Sequence, residues 1–506
     1  MDDKIIATNR SALRSKYGTK GVTALRNAVT NLIAADKKRG IKSREIYLDD
    51  AAAMKKLGGK AVSVSTDPGE NKAAIDAVCK ALSPDYLLIL GATDVVPHQD
   101  LDNKTGDEDR VAWGDLPYAC DEPYSRDPAR FIGPTRVVGR LPDLVSATEP
   151  SYLVKLLKNA AAYRSRPKSD YENYFGLSAQ VWALSTKLSL QNIFGSASDL
   201  LVSPHSGPKY PQGQLRALAH FINCHGAQAS PEFYGQRGSS YPISLTSQSM
   251  SGEIGVGTIA AVECCYGAEL YDSLTLATDS PICQTYLQQG AYGYLGSTTI
   301  AYGPADSNGA ADLICQYFLR SILNGSSLGH AALQARQNYV ANTGQMDPID
   351  LKTLAQFCLL GDPSIHPVAE PKATRALLTV SVADSERFQR SERRTKLKLD
   401  GEFLLRTKPT VSKLVKKPSL SPNVKAALAN ISKRAGVTAG TEFATFSVTN
   451  ATAANGRPGK EASSPSKYHL AISSPVRTVK NIPLGIAVVA KELDGRIVDY
   501  RIYNQR

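Results

Sequence analysis

Two short segments carry the residue types that nucleophilic chemistry needs. Residues 218–226 read Leu-Ala-His-Phe-Ile-Asn-Cys-His-Gly, and residues 258–267 read Thr-Ile-Ala-Ala-Val-Glu-Cys-Cys-Tyr-Gly. Each is an apolar run that ends abruptly in a reactive side chain, with glycine close behind. The first delivers His225 and the second a cysteine. A thiol attacks a carbonyl only as thiolate, so it needs a base beside it. His225 would supply that base and afterwards protonate a leaving amine. An acyl intermediate would sit on the sulfur. The N–H groups of Gly226 and of the nucleophile suit an oxyanion hole, because glycine lets backbone approach a substrate closely. Neighbouring residues on a strand face opposite ways, so only one of Cys264 and Cys265 can face His225.

The elements around these segments must bring them to one edge. Runs this short suit strands buried on both faces of a parallel sheet, whose carboxyl ends form sites. Apolar runs at 4–8, 45–48, 86–90, 136–139, 178–184, 219–223, 258–262 and 291–295 read as strands. Between them lie helical stripes, among them Val22, Leu25, Val29, Leu32 and Ile33 before Gly40, and Ile75, Val78, Cys79 and Leu82 after Asp67-Pro68. Asp67 can cap that second helix, with Pro68 at its first position. Further helices are expected near 212–219, 280–289, 306–323 and 328–342. The alternation predicts an α/β sandwich with a mostly parallel sheet. Beyond Pro367 the pattern changes. A short helix at 422–434 and strands at 443–448, 468–472, 486–489 and 496–503 are expected, the last two joined by an Asp494-Gly495 hairpin.

Composition narrows the classes. The chain has 506 residues, 42% hydrophobic and 21% charged, which is ample for a large core. No apolar run approaches the length of a membrane span, so no membrane partner is expected. The first residues, Met-Asp-Asp-Lys-Ile-Ile, do not read as a secretion signal. None of the eight cysteines forms a C-x-x-C pair, so neither zinc nor redox chemistry is indicated. They read as thiols of a reducing cytoplasm. Gly252–Gly257 matches no phosphate-binding loop, Gly-x-Ser-x-Gly is absent, and no cofactor or metal is expected. Residues 371–506 hold 25 Lys+Arg against 10 Asp+Glu, and so carry the whole net charge of +12. A solvated basic linker accounts for this better than nucleic-acid binding, since aromatics to stack on bases are few.

The motifs together resemble caspase-like cysteine peptidases, most closely the gingipain type. A strand ending in His-Gly (Phe221 to Gly226) precedes one ending in an acidic residue, a small residue and Cys (Ala261 to Cys265). Asp85 to Pro97, Asp115-Leu116-Pro117-Tyr118, Val138 to Pro142, Gly296-Ser297-Thr298 and Leu360 to Ser364 fit in the same order. The resemblance covers roughly residues 1–368. It implies a caspase-like three-layer α/β sandwich in two subdomains, 1–145 and 146–368 (the latter catalytic). A basic linker at 369–440 and a small β-rich module at 441–506 follow. It also implies an endopeptidase acting on protein or peptide substrates. The acidic residue two before the nucleophile, here Glu263, points to Cys265. The glycine three residues after it, as in gingipains, points instead to Cys264. Cleavage after Arg or Lys is implied, which needs a carboxylate in the first pocket. The segment that should carry it, 183–195, has no acid, and Lys187 stands near the position of the acid that orients the histidine. Glu232, Glu269 and Asp272 are the candidate substitutes.

Such an enzyme in a cytosol needs restraint. A zymogen is expected, released by an activating protease or a regulatory partner. Residues 101–130 and 385–420 read as polar, turn-rich cleavage sites, and the architecture fits bacterial stress or defence signalling. Two rivals stand beside this reading: a non-catalytic caspase-like scaffold, and a protein regulated by nucleic acid through 371–506.

Overall fold

A computed structural model describes residues 2–211, 213–369, 382–415, 418–437, 441–449, 466–473 and 479–506. Ten strands form one continuous sheet. Their spatial order is Ser43–Tyr47, Lys4–Thr8, Tyr86–Leu90, Val138–Leu141, Phe357–Gly361, Gly293–Ser297, Ile259–Val262, Ala219–Asn223, Tyr174–Ala179 and Leu200–Ser203. Phe357–Gly361 runs against Gly293–Ser297, and the other neighbours are parallel. The two sequence halves meet between Val138–Leu141 and Phe357–Gly361.

The sheet is buried on both faces. The strands Lys4–Thr8, Tyr86–Leu90, Ala219–Asn223, Ile259–Val262 and Gly293–Ser297 are buried at every position. This is why they read as unbroken apolar runs rather than alternating ones. Helices Arg10–Lys38, Pro68–Leu82, Ser151–Ala162, Ala183–Phe194, Ala311–Leu323 and Leu328–Asn342 supply the covering layers. Asp67 caps its helix by accepting from Glu70 N–H at 2.8 Å. The mostly parallel α/β sheet expected from the sequence is therefore observed.

The C-terminal region forms a six-stranded antiparallel sheet. Its order is Tyr302–Gly303, Arg496–Gln505, Ile486–Leu493, Lys467–Ser473, Ala444–Thr449 and Thr410–Leu414. The Asp494-Gly495 hairpin is present, with positive φ at both residues. The first strand, Tyr302–Gly303, belongs to the α/β domain, so the two regions share a ladder.

Three expectations need correction. Near 212–219 there is no helix: a 3₁₀ turn, Gln214–Arg216, leads into a strand, because Gly213 at φ +93° breaks the run. Residues 101–130 are not a free loop. They hold an antiparallel pair, Gln99–Asp102 with Val111–Gly114, and send Asp107 and Asp109 into a buried ion pair with Lys352. The region expected as a basic linker carries helices Val382–Thr407 and Pro422–Ala435 and the strand Thr410–Leu414. Leu397 and Leu404 of the first helix are buried, and Gln337 Nε2 donates to Leu397 O at 2.7 Å. Basic side chains outnumber that narrow stripe and hid it in the sequence. Residues 370–381, 416–417 and 438–440 of the expected linker lie outside the described residues.

Candidate active site

His225 follows directly on strand Ala219–Asn223, and Cys264 and Cys265 follow Ile259–Val262. The two strands are adjacent and parallel. Both reactive segments therefore leave the sheet at the same edge. His225 is 2% exposed. Its ring lies between Trp182, with centroids 4.3 Å apart, and Tyr241, at 5.5 Å.

The imidazole has a defined tautomer. His225 Nε2 is 2.8 Å from Gln236 Oε1. Gln236 Nε2 donates to Gly238 O at 3.0 Å and to the Tyr241 hydroxyl at 3.2 Å, which fixes the amide with its oxygen toward the ring. Nε2 must then carry the proton. Nδ1 is left as an unprotonated acceptor, buried and without a protein hydrogen bond. Burial lowers the imidazole to about 4; the Gln236 bond pulls it up and the Arg506 charge pushes it further down. At neutral pH His225 is thus a neutral ring with a free lone pair on Nδ1.

The other groups at this edge converge on Arg506, the last residue of the sequence. Cys265 N–H donates to Arg506 O at 3.0 Å and Gly226 N–H to the same oxygen at 3.4 Å. Arg506 N–H donates to Ala301 O at 3.0 Å. Ala301 N–H lies 3.2 Å from Cys265 Sγ. The Cys265 thiol is pushed well up by burial, with the Asp109 charge adding to it. A Cβ on residue 226 would fall 1.8 Å from Cys265 O, so only glycine fits there. Cys264 is turned into the core, where burial and the neighbouring Cys224 raise its thiol.

The Arg506 side chain fills a closed pocket. Its Nη2 donates to Pro304 O at 2.8 Å, to Ser185 Oγ at 3.4 Å and to both Asp312 oxygens at 3.3 Å. Trp182 stacks on the guanidinium at 4.5 Å. A Cβ at Gly303 would lie 2.2 Å from Nη2, so this glycine opens the way in. Arg506 Nε and Nη1 have no hydrogen-bond partner among the described residues. Glu263 is also buried there, beside Asp312. It feels both neighbours: burial first and then the Asp312 charge hold its carboxyl well above the usual range, while Arg506 pulls it down. Burial raises the Asp312 carboxyl as well, and the guanidinium draws it back down.

Gly226 and Cys265 N–H meet at one backbone oxygen, that of Arg506, and His225 immediately precedes Gly226. The three candidate pocket acids do not reach the guanidinium. Glu232 accepts from the Tyr234 hydroxyl at 2.6 Å. Asp272 closes an exposed turn through Thr275 N–H at 2.9 Å. Glu269 accepts from Ala229 N–H at 2.6 Å, and burial raises it to about 7. The sequence reading missed Asp312, Gln236 and Trp182. Segment 183–195 does reach the pocket, but through Ser185, which donates to Asp312 at 2.8 Å.

One group of metal-ligating type occurs among the described residues: His98, Asp115 and Cys358. Arg140 already occupies both Asp115 oxygens, at 2.6 and 2.8 Å. Burial opposes the Asp115 charge, but Arg140 and His98 overcome it and hold the carboxyl far below its usual range. A guanidinium in that position repels a cation, so this is a structural ion pair. No helix of the described residues is long and apolar enough to cross a membrane.

Residues 247–368 match the family profile of peptidase family C25. No curated protein matches the chain in sequence. Among solved structures, one titled as the structure of a protease shares 15% identity at TM-score 0.46, covering 99% of this chain and 97% of that one. The complex of Porphyromonas gingivalis RgpB pro- and mature domains shares 9% identity at TM-score 0.46, covering 99% of each chain. A Saccharomyces cerevisiae separase–securin complex shares 14% identity at TM-score 0.28, over 45% of this chain and 14% of that one.

Proposed function

We infer that the chain, similar over residues 247–368 to peptidase family C25, is a cysteine endopeptidase cutting after arginine with His225 and Cys265 as its dyad. The observation that carries the reading is the convergence on Arg506. Two N–H groups meet its carbonyl oxygen while its side chain enters a pocket containing a buried carboxylate. Cys265 passes its thiol proton to His225 Nδ1, and the sulfur bonds to the carbonyl carbon. The oxyanion accepts from Gly226 and Cys265 N–H. The C–N bond breaks as His225 returns the proton to the leaving amine. Water then hydrolyses the thioester, with His225 again as base. Gln236, accepting from Nε2–H, leaves Nδ1 free to take the thiol proton and stabilises the imidazolium that forms. Asp312, with Trp182 as a cation–π wall, selects arginine over neutral side chains.

We keep the cytoplasm as the compartment, supported by eight buried, unpaired cysteines. Latency is part of the proposal: both members of the dyad are neutral with the cleft filled. An activating protease or a partner that opens the cleft would relieve it.

The test is cleavage of short peptides varied at the residue before the scissile bond, by protein whose pocket is emptied with Arg506→Ala. Cleavage after arginine is expected. It should be abolished by Cys265→Ala or His225→Ala and kept in Cys264→Ala. Loss in Cys264→Ala together with activity in Cys265→Ala would overturn the assignment of the nucleophile.

A further inference from the structure

The ligand in the pocket is a piece of the chain itself, and its path is that of an extended peptide laid along an enzyme cleft. Strand Arg496–Gln505 pairs through most of its length with Ile486–Leu493. Its last residues also pair on the other side, Gln505 with Tyr302 and Asn504 with Gly303, antiparallel. Arg506 N–H continues that ladder to Ala301 O. Gln505 is clasped as well. Its Oε1 accepts from Gly485 N–H at 2.6 Å and its Nε2 donates to the Tyr302 hydroxyl at 3.1 Å. Gln505 is 2% exposed and Arg506 is fully buried.

Strand addition to an exposed edge is a general way of binding peptides, with alternate side chains dropped into pockets. Three alignments coincide at Arg506: the ladder along 301–303, the carbonyl oxygen between two N–H donors, and the side chain against Asp312. A surface strand that merely happened to pack here would have no reason to satisfy all three. The roof over the cleft is also foreign to the α/β domain. A cavity of about 200 Å³ beside His225 is lined in part by Leu484, Gly485, Ile486, Asn504 and Gln505.

We propose that residues 504–506 are an intramolecular occupant of the substrate cleft, held in the register of a peptide cut after Arg506 and delivered there by the C-terminal sheet. This rests on the peptidase reading above. Any other peptide must displace these three residues before it can reach Cys265. Tethered to the sheet that delivers it, the occupant acts at an effective concentration of order millimolar. Other substrates are slowed by the ratio of this effective concentration to the occupant's dissociation constant, which reaches tenfold once that constant is about 0.1 mM or lower. The occupant needs no partner chain, and its release calls for parting Asn504–Arg506 from Ala301–Gly303, from Gly485 and Ile486, and from the Gly226 and Cys265 N–H groups and the Asp312 pocket. The rest of the six-stranded sheet can stay in place.

Two readouts keep this proposal separate from the one it rests on. The first is the alkylation rate of Cys265 by iodoacetamide, mapped by peptide mass, in the full chain and in two variants, Arg506→Ala and deletion of Gln505 and Arg506. It requires no turnover. The second is cleavage of a fluorogenic peptide with arginine before the scissile bond. Both rates should rise at least tenfold in both variants. Added acetyl-Ile-Tyr-Asn-Gln-Arg should then slow them again. Equal alkylation of Cys265 in the full chain and in whichever variant folds overturns the occupancy. Faster alkylation without any cleavage leaves the occupancy standing and removes the peptidase.

Discussion

Replacing Asp312 by Asn tests the pocket with almost no change of shape. Nη2 of the guanidinium lies 3.3 Å from each Asp312 oxygen, and both residues are fully buried. Two unit charges at that distance attract by about 5 kcal/mol at an effective dielectric of about 20. Part of this offsets desolvation, and truncating one partner of such a buried pair costs about 2–5 kcal/mol. Glu263 reduces the loss further. Burial first and then the Asp312 charge raise its carboxyl, so removing that charge eases its ionisation and lets it take over in part. The single variant should lose about 2 kcal/mol, roughly 30-fold in kcat/KM for an arginine peptide. With Glu263→Gln added, the loss should reach about 3 kcal/mol, roughly 150-fold. The assay is kcat/KM on paired peptides with arginine or citrulline before the scissile bond, in the Arg506→Ala background. Citrulline keeps the shape and removes the charge, so its kcat/KM should hardly move. An arginine-to-citrulline ratio unchanged in the double variant would refute the pocket.

Four further outcomes follow from the structure. Gln236→Leu leaves the His225 tautomer unfixed and should lower kcat by about tenfold to a hundredfold, part of the roughly 10²–10⁴ a general base supplies. Gln236→Glu should raise His225 from about 4 and move the acid limb of the pH–rate profile upward; an unmoved limb would show that the ring is not the base. Lys352→Ala strands Asp107 and Asp109 without their buried partner and should cost about 3–5 kcal/mol, read as a fall in the urea midpoint. Finally, burial lowers His220 and His225 to about 4 and His330 to about 3. The unfolded chain takes up protons near pH 6.5, where the folded chain does not. Stability is therefore full above pH 6.5 and is lost as pH falls toward 4, by on the order of several kcal/mol across the three. His330→Gln should show a smaller loss between pH 7.5 and 4.5 than the parent; an identical loss would remove that histidine from the account.

The parts of this molecule that could be read from its sequence are those set by local burial. Strands inside a parallel sheet need apolar residues at every position, so 86–90, 219–223 and 259–262 stood out, and the polar residues closing them marked the site edge. The Asp494-Gly495 hairpin was legible for a similar reason: two positive φ angles in succession leave few residue choices. Asp312 was hidden because an acid in the first turn of a helix is common for reasons of the helix dipole alone. Gln236 was hidden because an amide at a hairpin end has no pattern. Arg506 was hidden because its role depends on a ladder to Tyr302 and Gly303, some 200 residues away, and pairing at that distance leaves no local trace.

The buried pair of Asp107 and Asp109 with Lys352 bears on how the chain can fold. Asp109 also accepts from the Tyr266 hydroxyl at 2.7 Å and from Ile300 N–H at 2.8 Å, one residue beyond Cys265 and one before Ala301. A loop from the first third of the chain thus holds Tyr266 and Ile300, the neighbours of Cys265 and Ala301, across sequence separations of 157 and 191 residues. Contacts this distant are made late, after the loop-closure entropy of both halves has been met. Shaping of the catalytic edge therefore belongs to the last, cooperative stage of assembly. A ribosome-bound chain that has not yet docked its halves would display Cys265 without holding it, and 146–368 expressed alone would be a sheet without this brace.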